Sequence, residues 1–217
     1  MLIDVHSHHL HPQPGSRQIL ALRASLSPDF RTTLSMYGDK AFLSVGIHPW
    51  DALHWSLDAV SGLMDVFLNP RVLLIGEIGL DKVSSIPLDS QKLVFNAQVV
   101  MAEQVQKPVL LHVVHAMSDI LESRRRHSSI PAWIIHGFRG GKQESEQYIR
   151  KGFYLSFGHR FNVDGLMACP MDRLFLETDD GYEDLKILYE RVAQVLQCSV
   201  DELEKQLEGN FRTVFMK

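Results

Sequence analysis

Leu2-Ile3-Asp4-Val5-His6-Ser7-His8 is a short apolar run that stops at two histidines. The same construction returns along the chain. Residues 19–22 end at Arg23, 41–45 at Gly46-Ile47-His48-Pro49, and 72–75 at Gly76-Glu77. Residues 109–111 end at His112, 132–135 at His136, 153–155 at Ser156-Phe157-Gly158, and 174–176 at Glu177-Thr178-Asp179. That makes eight candidate strands. Near-continuous apolar runs are what strands buried on both faces require, as in a parallel sheet. Helical spacing of apolar residues appears between several of them, best at 90–106, 141–151, 183–197 and 200–208. Lys107-Pro108 ends the first of these, since the residue before a proline avoids the α region. Asp201 places acidic charge in the first turn of the last helix, where the helix dipole favours it.

Strands alternating with helices predict a parallel α/β fold. Ionisable residues at the C-terminal ends of strands drawn from the whole chain predict closure into a (β/α)8 TIM-like barrel, because only then do all those ends face one mouth. Residues 9–17 hold Pro12, Pro14 and Gly15 and leave little room for a helix, so the first helix is expected to be missing or reduced. The 217 residues suit one such barrel at the compact end of its range, a single domain over 1–217.

Composition narrows the class. Hydrophobic residues make up 45% and charged residues 22%, ordinary for a soluble globular chain. The net charge of −4 argues against bulk electrostatic attraction to nucleic acid. It does not exclude a nucleic-acid substrate, because bound metal ions would add local positive charge. Cys169 and Cys198 are too few for a disulfide framework and read as small buried hydrophobes. No signal-like or membrane-spanning apolar stretch is visible, so the expectation is a cytoplasmic protein with no membrane partner, monomeric or weakly oligomeric.

His6 and His8 are two apart on a strand, and the strand period of two points both rings to one face. A lone His-x-His is a weak signal, and its place directly after an apolar strand strengthens it. Glu77 ends a buried run, where a carboxylate must be paired, hydrogen-bonded or metal-bound. His112, His136 and Asp179 each follow an apolar strand in the same way. Imidazole and carboxylate donors suit Zn²⁺, Mn²⁺, Fe²⁺ or Ni²⁺, with Mg²⁺ favoured only where oxygen dominates. Asp4 could orient the histidines, and Asp81 a ligand or a loop. His48, His115 and His159 are candidate substrate contacts, with Arg160 beside the last; each could equally be a rim or surface residue. Arg124-Arg125-Arg126 reads as a solvated helix face, and Trp50, Trp55 and Trp133 as packing residues.

These motifs occur in an order that resembles the TatD-like metal-dependent hydrolases of the amidohydrolase superfamily. His6-Ser7-His8, Gly46-Ile47-His48-Pro49, Gly76-Glu77-Ile78-Gly79-Leu80-Asp81, Pro108-Val109-Leu110-Leu111-His112, Ile135-His136-Gly137-Phe138 and Glu177-Thr178-Asp179 carry the likeness. Residues 209–215 resemble the closing helix of that family. The resemblance implies one or two divalent metal ions, with His6, His8 and Asp179 on one, His112 and His136 on the other, and Glu77 between. It also implies phosphodiester hydrolysis, typically of DNA ends. Two stretches depart from the pattern. Val113-Val114-His115-Ala116 lacks the arginine usual after the fourth histidine group. Asp180-Gly181-Tyr182-Glu183-Asp184 replaces a proline and an Arg-, Asn- and Pro-rich loop. The ligands are kept while the expected substrate contacts change.

The reaction expected is therefore metal-assisted hydrolysis, with Asp179 and Glu77 as catalytic carboxylates and Asp179 as general base. A phosphodiester, possibly a DNA end, is the leading substrate. An amide, ester or lactone in a small molecule is the alternative, and a non-catalytic metal-binding scaffold ranks lowest.

Overall fold

A computed structural model describes residues 1–10, 15–24 and 42–216. Eight strands lie in one sheet in chain order: β1 (Leu2–Ser7), β2 (Ser16–Arg23), β3 (Phe42–Gly46), β4 (Val72–Asp81), β5 (Val109–Val114), β6 (Trp133–Ile135), β7 (Tyr154–Phe157) and β8 (Leu174–Leu176). The pairings β1–β2, β3–β4, β4–β5, β6–β7 and β7–β8 are parallel. This is the strand order of a (β/α)8 barrel. Each expected apolar run forms a strand, with Ala41 outside the described residues. Only residues 8–15 join β1 to β2; Pro12 and Pro14 are likewise outside the described residues.

The chain divides into two compact units. The first is Met1–Leu20 with Ile134–Lys217. Its strands are covered by four helices: α5 (Lys142–Arg150), α6 (Val163–Met167), α7 (Leu185–Leu196) and α8 (Val200–Phe215). Ile3, Val5, Leu155, Phe157, Phe175, Leu188, Leu207 and Phe211 are buried in it. The phenol of Tyr189 on α7 accepts from Ile3 N (2.8 Å) and donates to Ile3 O (3.0 Å), tying that helix to β1. Asn210 on α8 donates to the carbonyl oxygens of Met171 (2.7 Å) and Leu174 (2.9 Å), tying α8 to the start of β8. Ser199 and Glu202 form a capping box at the head of α8, which satisfies backbone N–H groups the first turn leaves over. That helix runs to Phe215, taking in both the 200–208 pattern and residues 209–215, which resemble a closing helix.

The second unit is Ala21–Trp133. It holds β3 to β5 and the helices α1 (Leu57–Ser61), α2 (Met64–Leu68), α3 (Leu88–Val105) and α4 (Met117–Arg126). Two glutamines on the buried face of α3 act on strand ends rather than on solvent. Gln98 accepts from Ile47 N (2.8 Å) and donates to Ile47 O (3.2 Å). Gln91 does the same for Asp81 N (2.8 Å) and Asp81 O (2.9 Å). Backbone groups leaving a sheet have no ladder partner, and these amides supply one. Gly79 pairs with His112, and a Cβ at Gly79 would land on the carbonyl oxygen of His112, so only glycine lets β4 and β5 meet there.

One expectation about the cysteines is corrected. Cys169 is buried, but Cys198 is partly exposed, because it follows the left-handed cap Gln197 in the turn between α7 and α8. No helix among the described residues is long and apolar enough to cross a membrane.

Candidate metal centre

The first unit gathers His6, His8, His136 and Asp179. Strand pairing does the placing. Asp179 N donates to His6 O and His8 N to Asp179 O, both at 3.0 Å, so the end of β8 is stitched to the end of β1. Asp179 has φ of 55°, a left-handed conformation that costs a non-glycine residue and that the flanking hydrogen bonds must hold. Its carboxylate oxygen Oδ1 then stands 3.4 Å from His6 Nε2 and 3.6 Å from His8 Nε2. His6, His136 and Asp179 each offer a donor atom within 4.8 Å of the others, as do His8, Asp179 and Asp180.

Two buried carboxylates position this group. Glu177, with 0% exposure, receives Gly137 N at 2.6 Å and lies 3.3 Å from His136 Nδ1 on one oxygen. Its other oxygen receives Ser156 Oγ at 2.5 Å. It fixes the His136 ring from behind and leaves Nε2 as the donor atom. Gly137 reaches Glu177 with φ of 55°, which suits glycine. Asp4 receives Thr178 N (3.1 Å) and Thr178 Oγ1 (2.8 Å), holding the segment that carries Asp179. Burial pushes the Asp4 carboxyl up to about 7, against the hydrogen bonds from Thr178, which favour its charged form.

The second unit gathers His48, Glu77 and His112. Glu77 Oε1 lies 3.1 Å from His48 Nε2 and 2.9 Å from His112 Nδ1. His48 is only 3% exposed, and its Nδ1 accepts from Trp50 N. Burial holds its pKa below the usual range although Glu77 favours the charged ring. Asp81 supports the group: it receives Trp50 Nε1 at 2.7 Å and the backbone N–H groups of Val83 and Ser84, and lies 3.4 Å from His112 Nε2. Burial raises the Asp81 pKa, but the hydrogen bonds from Trp50, Val83, His112 and Ser84 outweigh it and the carboxyl ends below its ordinary value. His48, Glu77 and His112 offer donors within 4.8 Å of one another.

The donor chemistry of both groups fits a divalent ion. Two ligands each about 2.0–2.1 Å from a zinc ion at the tetrahedral angle stand about 3.4 Å apart, the spacing of Asp179 and His6.

The six expected ligands thus divide between the units, His6, His8, His136 and Asp179 in the first, Glu77 and His112 in the second. Of the three expected substrate contacts, His115 is exposed with φ of 52°. His159 is largely buried, with Nδ1 2.5 Å from Glu183, and burial keeps its pKa low despite that carboxylate. His48 lies against Glu77 and is closed off from solvent. Glu177 is the functional residue the sequence reading passed over. Its signal was an acid between Leu176 and Thr178 at the end of a buried strand, the same signal that singled out Glu77.

The family described as TatD related DNase matches residues 13–216. The chain belongs to this family. The 3'-5' ssDNA/RNA exonuclease TatD of a Rahnella species is 35% identical over 156 residues, which are 66% of this chain and 59% of that protein. The matched region therefore spans less than two thirds of that relative's length. The uncharacterized metal-dependent hydrolase YabD of Bacillus subtilis is 25% identical over 199 residues, covering 82% of this chain and 78% of that one. Among solved structures, YJJV, a TatD homologue from Escherichia coli, superposes with a TM-score of 0.85 at 21% identity. It covers 100% of this chain and 98% of its own, and shares the fold. Five of the six motifs lie within the matched residues, as do the stretches at 113–116 and 180–184 that depart from the family's usual pattern; His6-Ser7-His8 precedes them.

Proposed function

We propose that this protein is a metal-dependent phosphodiesterase that trims single-stranded nucleic acid from one end. The observation that carries the reading is the meeting of imidazole and carboxylate donors in each cluster at ligand spacing, with a buried carboxylate behind each. The names of the relatives point to the same chemistry. His6, His8, His136 and Asp179 are the donors from the first unit, and Glu77 and His112 those from the second. A bound divalent cation supplies Lewis acidity and makes water a nucleophile at neutral pH. Asp179 is the general base: its carboxylate is partly exposed and stands beside the histidines, placed to take the proton of an attacking water. Glu177 and Asp4 keep His136 and Asp179 in position. Glu177 does so through His136, so it is a positioning residue.

A second reading, hydrolysis of an ester, amide or lactone in a small molecule, is favoured by the missing arginine at 113–116 and by the net charge of −4. One assay separates the two. The protein is stripped with chelator, reloaded singly with Zn²⁺, Mn²⁺, Mg²⁺ or Ni²⁺, and offered a 5'-labelled single-stranded oligonucleotide beside a panel of esters, amides and lactones. Stepwise shortening of the oligonucleotide, lost on chelation, is expected. Turnover of the panel alone establishes the second reading. Stoichiometric metal binding with no turnover of anything overturns both.

A further inference from the structure

The loop after Asp179 carries an aromatic ring that neither the metal clusters nor their supports use. Tyr182 is 77% exposed, the most open of the large hydrophobic residues described. Its ring stacks on His9, with centroids 4.3 Å apart and planes 23° from parallel. Around it the loop is pinned at both ends. Gly181 N donates to Thr178 O at 2.9 Å, and Asp184 caps α7 by accepting from Lys186 N at 2.8 Å. An aromatic ring held this way loses little freedom when something settles on it, which is why such rings serve as rigid anchors at binding surfaces.

Its surroundings say what would settle there. Tyr182 borders a cavity of about 530 Å³ whose wall holds Arg139, Arg160 and His159 together with the carboxylates of Glu177, Asp179, Asp180 and Glu183. Arg139 and Arg160 are exposed to solvent. A stacking ring beside cations in a groove is the arrangement that grips single strands: bases lie on the ring and the cations follow the backbone phosphates. Tyr182 lines the same cavity as Asp179, where the reacting phosphate would lie, so a neighbouring nucleobase would share that cavity with the ring. Arg139 also supplies positive charge in a chain that lacks the arginine expected at 113–116.

We propose that Tyr182 is the stacking platform for the terminal nucleobase of a single-stranded nucleic acid, with Arg139 and Arg160 facing its backbone. The inference rests on the nucleic-acid reading above and deepens it by assigning the base contact.

The test uses full-length metal-loaded protein and a short single-stranded DNA with 2-aminopurine at its 3' end. A phosphorothioate at the terminal linkage slows cleavage. Stacking quenches 2-aminopurine emission. Wild type and Tyr182→Phe are expected to quench it and to bind alike. Tyr182→Ala is expected to lose the quench and to bind about 5- to 100-fold more weakly. The same strand ending in an abasic site should bind all three proteins equally, a result a merely structural role would not give. Quench and affinity unchanged in Tyr182→Ala overturn the inference, as does equal weakening toward the abasic strand. Wild type that binds no oligonucleotide overturns both the inference and the nucleic-acid reading. Wild type that binds and quenches but never cleaves the same strand with an ordinary phosphodiester at that linkage leaves the stacking role standing and overturns the nuclease alone.

Discussion

In the first unit, the nitrogens of His6 and His8 stand 3.4 and 3.6 Å from Asp179 Oδ1; in the second, the nitrogens of His48 and His112 lie 3.1 and 2.9 Å from Glu77 Oε1. The first set of distances exceeds a good hydrogen bond and matches ligands arranged about a common ion. The second set is that of hydrogen bonds already made. The two groups use the same side chains for different ends. Around Asp179, order comes from the backbone ladder between β1 and β8, and the donors are held apart. Around Glu77, the carboxylate itself joins two histidines, the buried His48 and the partly exposed His112, so its hydrogen bonds add to the fold as well as gathering the donors. Ligand type alone therefore does not tell how a cluster is held together; the spacing does.

The sharpest way to break this contrast is to remove each carboxylate. Asp179→Asn is expected to lower kcat by roughly 10²- to 10⁴-fold, the usual worth of a positioned general base. In chelator its melting temperature should stay close to wild type. Glu77→Ala should also lose activity, but in chelator it should cost about 1–3 kcal/mol of stability, since it leaves the buried His48 ring and the partly exposed His112 ring without their carboxylate. Activity assays beside thermal melts in excess chelator check both. Equal destabilisation by the two substitutions would erase the distinction.

A smaller effect tests the support of the first group. Glu177→Gln is expected to weaken metal binding by about 10- to 100-fold, the usual cost of losing a carboxylate behind a ligating histidine. Ser156→Ala is its control. It removes the bond to the other oxygen of Glu177, should cost about 1 kcal/mol of stability, and should leave metal affinity alone. Titration calorimetry on both variants decides whether Glu177 acts through His136 or only through packing.

Much of this was legible in the sequence because it is written in short-range patterns. The eight apolar runs became the eight strands, and the histidines and carboxylates that end them became the clusters, since a strand end fixes where its next side chain emerges. What was not legible depends on partners remote in sequence. Gln91 and Gln98 read as polar positions of a helix, yet both are buried and bonded to backbone 10 and 51 residues away. Glu177 meets Gly137 and Ser156, 40 and 21 residues away, and no local pattern records that. His48, read as a possible substrate contact, lies closed in against Glu77. The helices α1 and α2 span five residues each, too short for a helical period to emerge.

The smallest expected effect sharpens the comparison from the side of the second unit. Among the described residues, Asp81 there has four donor contacts where Glu177 has three: Trp50 Nε1, two loop N–H groups, and the nearby His112 ring. Trp50→Phe deletes only the indole donor. The ring, which meets His48 and His112 edge-on at 4.6 and 5.7 Å, keeps its place. With the remaining donors holding Asp81, the loss should be about 1 kcal/mol, a fall in melting temperature of about 2–4 °C for a chain of this length. Metal affinity should change far less than in Glu177→Gln. Thermal melts and the same calorimetry check it. If Trp50→Phe weakens metal binding as much as Glu177→Gln does, Asp81 depends on one donor after all, and the second group is no better satisfied than the first.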